Sequence, residues 1–371
     1  MKTLIIRGTL FIFLLLIPIL SVNYYVDSYA SFRLTYNKIG KIGMTSNYSV
    51  GEEIPISERK PKWARITRMN PVDCMILGSS RSMLFSSENL RLDSFYNLAV
   101  SGGNDIYDYM AEVYLLYQYD VLPKRILIEV TPNIFNVNFY QRRYLEWGNN
   151  SENMRAILDG KVRNKKNSRP LGIQVQDVLS LQYFKYNLDQ LKKGNRTYIK
   201  VHNMFDDEQL YTFHIDGSGA YSRNFINQRD ENKISLGIKE TCEIKGINGC
   251  YGFEELNIEK IKTFEAIISF LLDNGVNVSF YLPPYVDEIY DYICNYFSIV
   301  LDVENYLLDF AKKKKIQVYG SYNPKYCGIT IDDLFCDEYH IKYERVADTL
   351  YPRDESLDSF WIDQIVSEKN E

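Results

Sequence analysis

The chain has 371 residues, of which 46% are hydrophobic and 25% are charged, and its formal net charge is −5. These values are typical of a folded globular protein and argue against a disordered chain. The sequence contains no basic block of the kind that binds DNA or RNA, so we expect no nucleic-acid partner. The length favours one main domain that carries insertions.

An apolar segment follows Lys2 and Arg7 at the N-terminus. Residues 8–26 carry no charge, which brings the segment close to the ~20 residues that a helix needs to cross a bilayer. The basic residues before it orient the N-terminus towards the cytoplasm. We therefore expect a single-pass anchor in the cell membrane, with the rest of the chain on the extracytoplasmic side. Residues 28–30 (Ser-Tyr-Ala) offer a signal-peptide cleavage site as the alternative, and we favour the uncleaved anchor.

The six cysteines would then face an oxidising environment. Cys242 and Cys250 bracket a polar loop that contains glycine, which favours a local disulfide, and Cys327 with Cys336 is a second candidate pair. Cys74 lies in an apolar strand and is interpreted as a buried thiol. Because no CxxC pair occurs and the chain has only three histidines, we expect neither a metal nor a cofactor.

Short apolar runs predict five strands, at residues 73–77, 95–98, 126–130, 276–282 and 315–319. Apolar spacing and capping signals predict helices at residues 106–119, 177–193, 254–274, 287–313 and 343–350. This alternation predicts an α/β fold, a three-layer α/β/α sandwich around a central, mostly parallel five-stranded sheet.

These elements suggest four segments along the chain. Residues 1–26 are the cytoplasmic tip and transmembrane signal anchor, and residues 27–70 are an irregular juxtamembrane segment. Residues 71–350 form the main domain, with an insertion at about 137–250, and residues 351–371 are an acidic C-terminal tail. We expect the insertion to cover the edge of the sheet or the face that bears the site, where loops usually determine specificity.

A serine pair, Ser79 and Ser80, follows the first predicted strand and Gly78. The carboxyl edge of an open α/β sheet is where ligands bind, and a serine at this place also lies near free backbone N–H groups. Alone, such a Gly-Ser-Ser sequence is more typical of an ordinary turn. Arg81, the next residue, is either a contact for an anionic substrate or a surface arginine.

The C-terminal part of the chain supplies the groups that a serine nucleophile requires. Asp337 precedes His340 by three residues. A nucleophilic serine needs a base to take its proton, and the base needs a carboxylate to fix its tautomer and stabilise its charged form. His202 and His214 lie in the insertion without such a partner, so we interpret them as structural or surface residues.

The strand–Gly-x-Ser turn near the N-terminus and the Asp-x-x-His near the C-terminus together resemble the SGNH/GDSL hydrolase superfamily. The Gly-Ser-Ser form behind an N-terminal anchor is similar to its membrane-tethered branch, which includes proteins of teichoic-acid D-alanylation and exopolysaccharide O-acetylation. The resemblance covers roughly residues 1–135 and 275–350. It implies a catalytic triad of Ser80, Asp337 and His340, with Ser79 in place of the usual Asp of the motif.

The resemblance also implies an oxyanion hole. Its donors would be the backbone N–H of Ser80, the N–H of Gly102 (with Gly103 as the alternative) and the side chain of Asn133. In the block that contains Asn133, the Gly before the Asn and the Asp after it are replaced. A turn asparagine after Pro132 is therefore an equal alternative.

The resemblance implies a serine esterase or O-acyltransferase that acts through an acyl-enzyme. The expected substrate is an acylated envelope or surface polysaccharide, or another ester. The expected partners are the membrane, through the N-terminal helix, and a membrane acyl-donor protein. The alternative is a non-catalytic envelope protein that uses the same fold for binding or assembly.

Overall fold

The structure is a computed structural model that describes residues 2–26, 33–50, 58–102, 105–139, 142–161, 179–192, 199–202, 211–221, 231–245, 247, 249–327 and 337–366. Its strands are β1 (Asn47–Val50), β2 (Cys74–Leu77), β3 (Phe95–Asn97), β4 (Arg125–Glu129), β5 (Ile199–His202), β6 (Tyr211–Phe213), β7 (Gly219–Tyr221), β8 (Asn277–Leu282) and β9 (Gln317–Gly320). Its α-helices are α1 (Lys2–Val26), α2 (Arg33–Ile42), α3 (Arg59–Ile66), α4 (Ser87–Leu90), α5 (Ile106–Gln118), α6 (Asn150–Leu158), α7 (Leu181–Lys192), α8 (Glu231–Glu240), α9 (Ile258–Asp273), α10 (Asp287–Tyr296), α11 (Ile299–Lys314) and α12 (Phe360–Val366). Short 3₁₀ helices cover Pro132–Phe135, Arg142–Trp147, Pro324–Cys327 and Tyr343–Thr349, and Thr241–Lys245 is a π-helical turn.

The five predicted strands form one parallel sheet in the order β3-β2-β4-β8-β9. The α/β prediction with a five-stranded parallel sheet is thus confirmed, with strand ends displaced by one or two residues. The chain moves outwards from β2 to the edge strand β3 and then returns to the other side of β2 as β4. This reversal creates a switch point beside β2, where a crevice opens at the carboxyl ends of the strands.

Successive side chains of β8 point to opposite faces of the sheet, and both faces are covered. The Phe280 ring packs against Phe264 of α9 and Phe310 of α11. On the other face, the Tyr281 ring packs edge-on against Phe85, and its hydroxyl lies 2.8 Å from Thr349 Oγ1. This arrangement is compatible with a three-layer sandwich and explains why the central strands read as continuous apolar runs.

Three of the predicted helices differ in the structure. The helix expected at residues 254–274 begins at Ile258, after Asn257, whose side chain accepts the Lys260 N–H. Residues 287–313 were expected to form one helix, but α10 ends at Tyr296 and α11 begins at Ile299. Phe297 has φ −137° and ψ 47°, outside the helical region, and its ring packs on Tyr292. The helix expected at residues 343–350 is a 3₁₀ helix, Tyr343–Thr349.

The sequence predicted an irregular segment at residues 27–70, but its described parts, residues 33–50 and 58–70, contain regular elements. They contribute α2, β1 and α3, and β1 pairs antiparallel with β5 and β6 of the insertion. Together with β7 these strands form a second sheet in the order β5-β1-β6-β7. The pairing joins positions 149 to 165 residues apart, a separation that local sequence patterns do not reveal.

The C-terminal segment is also part of the fold. Trp361 of α12 is 2% exposed and belongs to the main core. Tyr319 of β9 forms an isolated antiparallel bridge with Pro352, and the Tyr319 hydroxyl donates to the Asp358 carbonyl at 2.9 Å. Residues up to 366 are therefore part of the main domain rather than a separate tail.

The N-terminal helix does not support the predicted membrane anchor. Among the helices in the described ranges, none combines the length and the hydropathy of a membrane span. Near its C-terminal end, α1 makes polar contacts with protein: Asn187 Nδ2 of α7 donates to Asn23 Oδ1, and Asn23 Nδ2 donates to the Ser180 carbonyl, both at 3.1 Å.

The predicted Cys242–Cys250 disulfide is wrong, because both residues are free thiols. Cys250 is buried in the core, where burial raises the pKa of its thiol to about 12. Cys74 is a buried thiol, as expected. The predicted Cys327–Cys336 pair is wrong as well, because Cys327 is a buried free thiol; Cys336 itself lies outside the described residues.

Lys62 of α3 joins three parts of the chain. Its buried ammonium group donates to the carbonyl oxygens of Asn97 and Gly217, both at 3.0 Å, and to that of Ala99. Asn97 ends strand β3, and Gly217 lies in the turn between β6 and β7. One side chain therefore connects the segment before the main sheet, the edge of that sheet and the insertion.

The titration of Lys62 gives a test of this packing. Burial lowers the pKa of Lys62 to about 8, whereas the pKa of a lysine in an unfolded chain is about 10.4. Between these values the unfolded chain holds a proton that the folded protein has released, so the contribution of Lys62 to stability rises with pH. We expect the free energy of unfolding of the wild type, minus that of Lys62→Met, to increase by roughly 3 kcal/mol between about pH 8 and pH 10.4. Urea unfolding at several pH values measures it, and a difference independent of pH would contradict the buried ammonium.

Candidate functional site

Ser80 lies in a tight turn directly after β2. The N–H groups of Ser82 and Met83 both donate to the Ser79 carbonyl, at 3.1 and 3.2 Å. Gly78 is required before the turn, because a Cβ atom there would lie 2.1 Å from Ser82 Oγ. The backbone N–H of Ser80 has no hydrogen-bond acceptor within the described structure. The turn therefore presents both the hydroxyl and the N–H of Ser80 at the carboxyl end of the sheet.

Glu129, the last residue of β4, holds this turn in place. Its carboxylate accepts the Ser79 N–H at 2.9 Å and the Ser79 hydroxyl at 2.5 Å. The Glu129 side chain is fully buried, and its main-chain carbonyl accepts the hydroxyl of Tyr109. Glu129 was not singled out from the sequence, because an acidic residue at a strand end is common and its contact with Ser79 depends on the pairing of β2 with β4.

Ser80, His340 and Asp337 lie in a hydrogen-bonded row. Ser80 Oγ lies 2.9 Å from His340 Nε2, and His340 Nδ1 lies 2.8 Å from Asp337 Oδ2. This geometry fits a histidine that donates from Nδ1 to the carboxylate and accepts the serine hydroxyl at Nε2. The structure thus brings the three predicted triad residues together, although 257 residues separate Ser80 from Asp337 along the chain.

Asp337 also shapes the turn that carries the histidine. Its Oδ1 accepts the backbone N–H groups of Tyr339 at 2.8 Å and of His340 at 2.7 Å, an arrangement typical of aspartate turns. Burial opposes ionisation of Asp337, but the hydrogen bond from His340 and these backbone donors outweigh it and lower its pKa below the usual range. Asp337 therefore stays ionised and can stabilise a protonated His340.

The row opens into a cavity of about 110 Å³. Its lining residues come from the carboxyl ends of β2, β4 and β8 and from the histidine turn: Ser79, Ser80, Arg81, Thr131, Asn133, Tyr285, Tyr339 and His340. The sequence patterns did not identify Thr131, Tyr285 or Tyr339 as candidate site residues. Thr131 follows a predicted strand by one residue and Tyr285 follows another by three, so their position at strand ends was the signal that could have found them.

Two of the three predicted oxyanion donors border this cavity. Asn133 lies in a 3₁₀ helix after β4, and its side-chain amide makes no hydrogen bond within the described structure. Gly249 packs against it so closely that a Cβ atom on Gly249 would lie 2.3 Å from Asn133 Cβ. Together with the free N–H of Ser80, the amide gives two donors that can face one oxygen atom.

Gly102 is not among the residues that line the cavity. The preceding residue, Ser101, donates its N–H at 3.1 Å and its hydroxyl at 2.8 Å to the Glu58 carboxylate. Gly102 has φ +83°, and a Cβ atom there would lie 1.9 Å from Arg143 Nη1. The contact with Glu58 thus draws this loop towards the start of α3. Gly103 lies outside the described residues.

The insertion reaches the histidine turn. Tyr221 of β7 packs edge-on against His340, with ring centroids 5.7 Å apart. Gly237 of α8 leaves room for the Glu338 carboxylate, because a Cβ atom there would lie 2.8 Å from it. His214 is buried in the insertion, 3.0 Å from Ser218 Oγ, and burial lowers its pKa. His202 lies in strand β5 of the second sheet. His214 does not belong to the row at Ser80.

The Ser79–Glu129 contact can be tested by a double-mutant cycle. Glu129→Gln retains only one acceptor for two buried donors, so we expect it to lower the free energy of unfolding by about 1–3 kcal/mol. When Ser79→Ala is already present, Glu129→Gln should lower the free energy of unfolding by less. The difference between the two effects is the coupling energy, which we expect to be about 0.5–3 kcal/mol. Urea unfolding of the four proteins measures this coupling. The exposed contact of Ser94 with the Asp73 N–H provides the control, since Ser94→Ala should be additive with Glu129→Gln; additivity at Ser79 as well would contradict the contact.

No protein-family model matches the sequence, and no curated protein matches it either. The site is therefore interpreted from its geometry.

Proposed function

We propose that the protein carries out serine-dependent acyl-ester chemistry, as an esterase or an O-acyltransferase. The observation that carries the proposal is the row from Ser80 through His340 to Asp337, with contacts of 2.9 and 2.8 Å. A hydroxyl, an imidazole and a buried carboxylate in this order are the groups that acyl transfer through a serine requires.

The reaction begins when His340 Nε2 takes the hydroxyl proton of Ser80 while Ser80 Oγ attacks the ester carbonyl carbon. The carbonyl oxygen becomes an oxyanion, for which the Ser80 N–H and the Asn133 amide are the donors. His340 then gives the proton to the departing alcohol oxygen, and the C–O bond of the ester breaks to leave an acyl group on Ser80. Water, or a hydroxyl group of a sugar, attacks this acyl-enzyme and takes the acyl group, with His340 again acting as base.

The cavity offers two of the three predicted oxyanion donors, and this number affects the expected turnover rate. Loss of one oxyanion donor typically costs ~10²–10³ in kcat. Because Gly102 does not line the cavity, we expect slow turnover of simple esters unless the substrate supplies further contacts.

The proposed substrate is an acylated polysaccharide of the cell envelope or surface, because the motifs around Ser80 and His340 resemble the tethered SGNH branch. The fold fits this resemblance, since the serine follows the first strand of a parallel sheet and the Asp-x-x-His lies beyond the last one. A membrane acyl-donor protein is the proposed partner for a transferase reaction. The extracytoplasmic location remains a prediction from the sequence.

A fluorophosphonate probe tests the nucleophile. We expect covalent labelling of the purified full chain at Ser80, because the probe reacts with serines that a neighbouring base activates. Ser80→Ala should abolish labelling, and His340→Ala should slow it by at least about 10²-fold. Ser94→Ala, a surface serine remote from the row, is the matched control. An unlabelled wild type, or a labelled Ser80→Ala variant, would refute the proposal and favour the binding-protein alternative.

Turnover with an added acceptor separates the two reaction types. The full chain is incubated with an acetyl ester, with and without an oligosaccharide, and both acetate and acetylated sugar are measured. We expect release of acetate in both cases if water is the acceptor. Acetyl transfer to the oligosaccharide, absent in Ser80→Ala, would assign the protein as a transferase.

A further inference from the structure

Arg81 is a buried cation without a carboxylate partner. Its side chain is 6% exposed, its Nη2 donates to the Pro284 carbonyl, and its guanidinium lies 4.6 Å from the centre of the Tyr285 ring. Arg81 Nε is buried and makes no hydrogen bond, and no described carboxylate lies within ion-pair distance. The alternative of a surface arginine is therefore wrong. Arg81 lines the cavity, one residue from Ser80.

Other buried cations in the described ranges are compensated. Arg59 forms an ion pair with Asp108 at 2.8 Å, and Lys260 lies 3.4 Å from Asp105. Lys62 is held by three carbonyl oxygens. A buried charge without a partner costs several kcal/mol unless a ligand or another group offsets it. The carboxylate of Glu129 accepts the Ser79 N–H and hydroxyl and forms no described ion pair with Arg81.

Thr131 is a second uncompensated polar group at the same cavity. Its side chain is 8% exposed, and Thr131 Oγ1 is buried without a hydrogen-bond partner. Buried polar groups are almost always hydrogen-bonded in folded proteins. Two such groups beside one nucleophile indicate that a ligand completes their hydrogen bonds.

We propose that the cavity binds ester substrates that carry a carboxylate close to the scissile bond, and that Arg81 recognises this carboxylate. The guanidinium is a planar set of donors that matches a carboxylate, and its orientation is already fixed by Pro284 and Tyr285. Thr131 Oγ1 supplies a neutral donor to the same bound substrate. This inference rests on the proposed function and adds a substrate class to it. The carboxylate belongs either to the acyl group or to the alcohol, and the test separates the two.

The test compares charged esters with neutral esters of the same shape on the purified full chain. The acyl-side pair is mono-para-nitrophenyl glutarate and para-nitrophenyl pentanoate. The alcohol-side pair is para-acetoxybenzoate and its methyl ester. Spontaneous hydrolysis is subtracted for each. We expect one pair to show a kcat/KM that is roughly 10- to 100-fold higher for the charged ester, mainly through a lower KM, because hydrogen bonds to charged groups are about that strong.

Substitution of Arg81 should remove this preference. In Arg81→Gln the ratio of charged to neutral kcat/KM should fall to about one, and Arg81→Lys, which keeps the charge but loses the planar donors, should retain part of it. Arg125→Gln is the matched control, because Arg125 also lies over an aromatic ring, that of Phe360, but at the opposite end of β4. Its ratio should equal that of the wild type.

The outcomes distinguish the two proposals. Turnover of neutral esters with ratios near one in both pairs, or an unchanged ratio in Arg81→Gln, would overturn the inference and leave the proposed function intact. If Arg81→Gln does not fold, the wild-type ratios and Arg81→Lys decide the matter. Absence of all ester turnover, together with absence of fluorophosphonate labelling, would refute the proposed function and the inference with it.

Discussion

The contact on which the site depends is that between the Glu129 carboxylate and Ser79. It joins the carboxyl ends of β2 and β4 at the point where the strand order reverses. The same turn must pass close to Glu129, which only a glycine at position 78 permits. The turn that carries Ser80 is thus bonded directly to the central sheet, so the position of Ser80 is fixed by the pairing of the strands.

The other half of the row is built locally. Asp337 binds both the His340 ring and the backbone N–H of His340, so one carboxylate orients the turn and the imidazole together. The two halves meet at the contact between Ser80 Oγ and His340 Nε2. Tyr221, from the insertion, packs on the imidazole and limits its movement. The rest of the fold therefore has only to bring the Ser80 turn and the His340 turn together.

Much of this arrangement could be predicted from the sequence. The five strands were visible because buried parallel strands are continuous apolar runs, and the row at Ser80 because serine, histidine and aspartate have a recognisable order. Features that depend on distant partners were not visible. The contact of Glu129 with Ser79 depends on the pairing of β2 with β4, and strand β1 depends on partners in the insertion. The position of Gly102 outside the cavity depends on the contact of Ser101 with Glu58.

The three carbonyl contacts of Lys62 bear on how this protein could be divided. A chain that began at residue 71, where the first core strand is about to start, would lose the ammonium group that binds Asn97 and Gly217. It would also lose β1, the central partner of β5 and β6, and leave their edges open. We therefore do not expect residues 71–366 to fold stably without the short segment that precedes them.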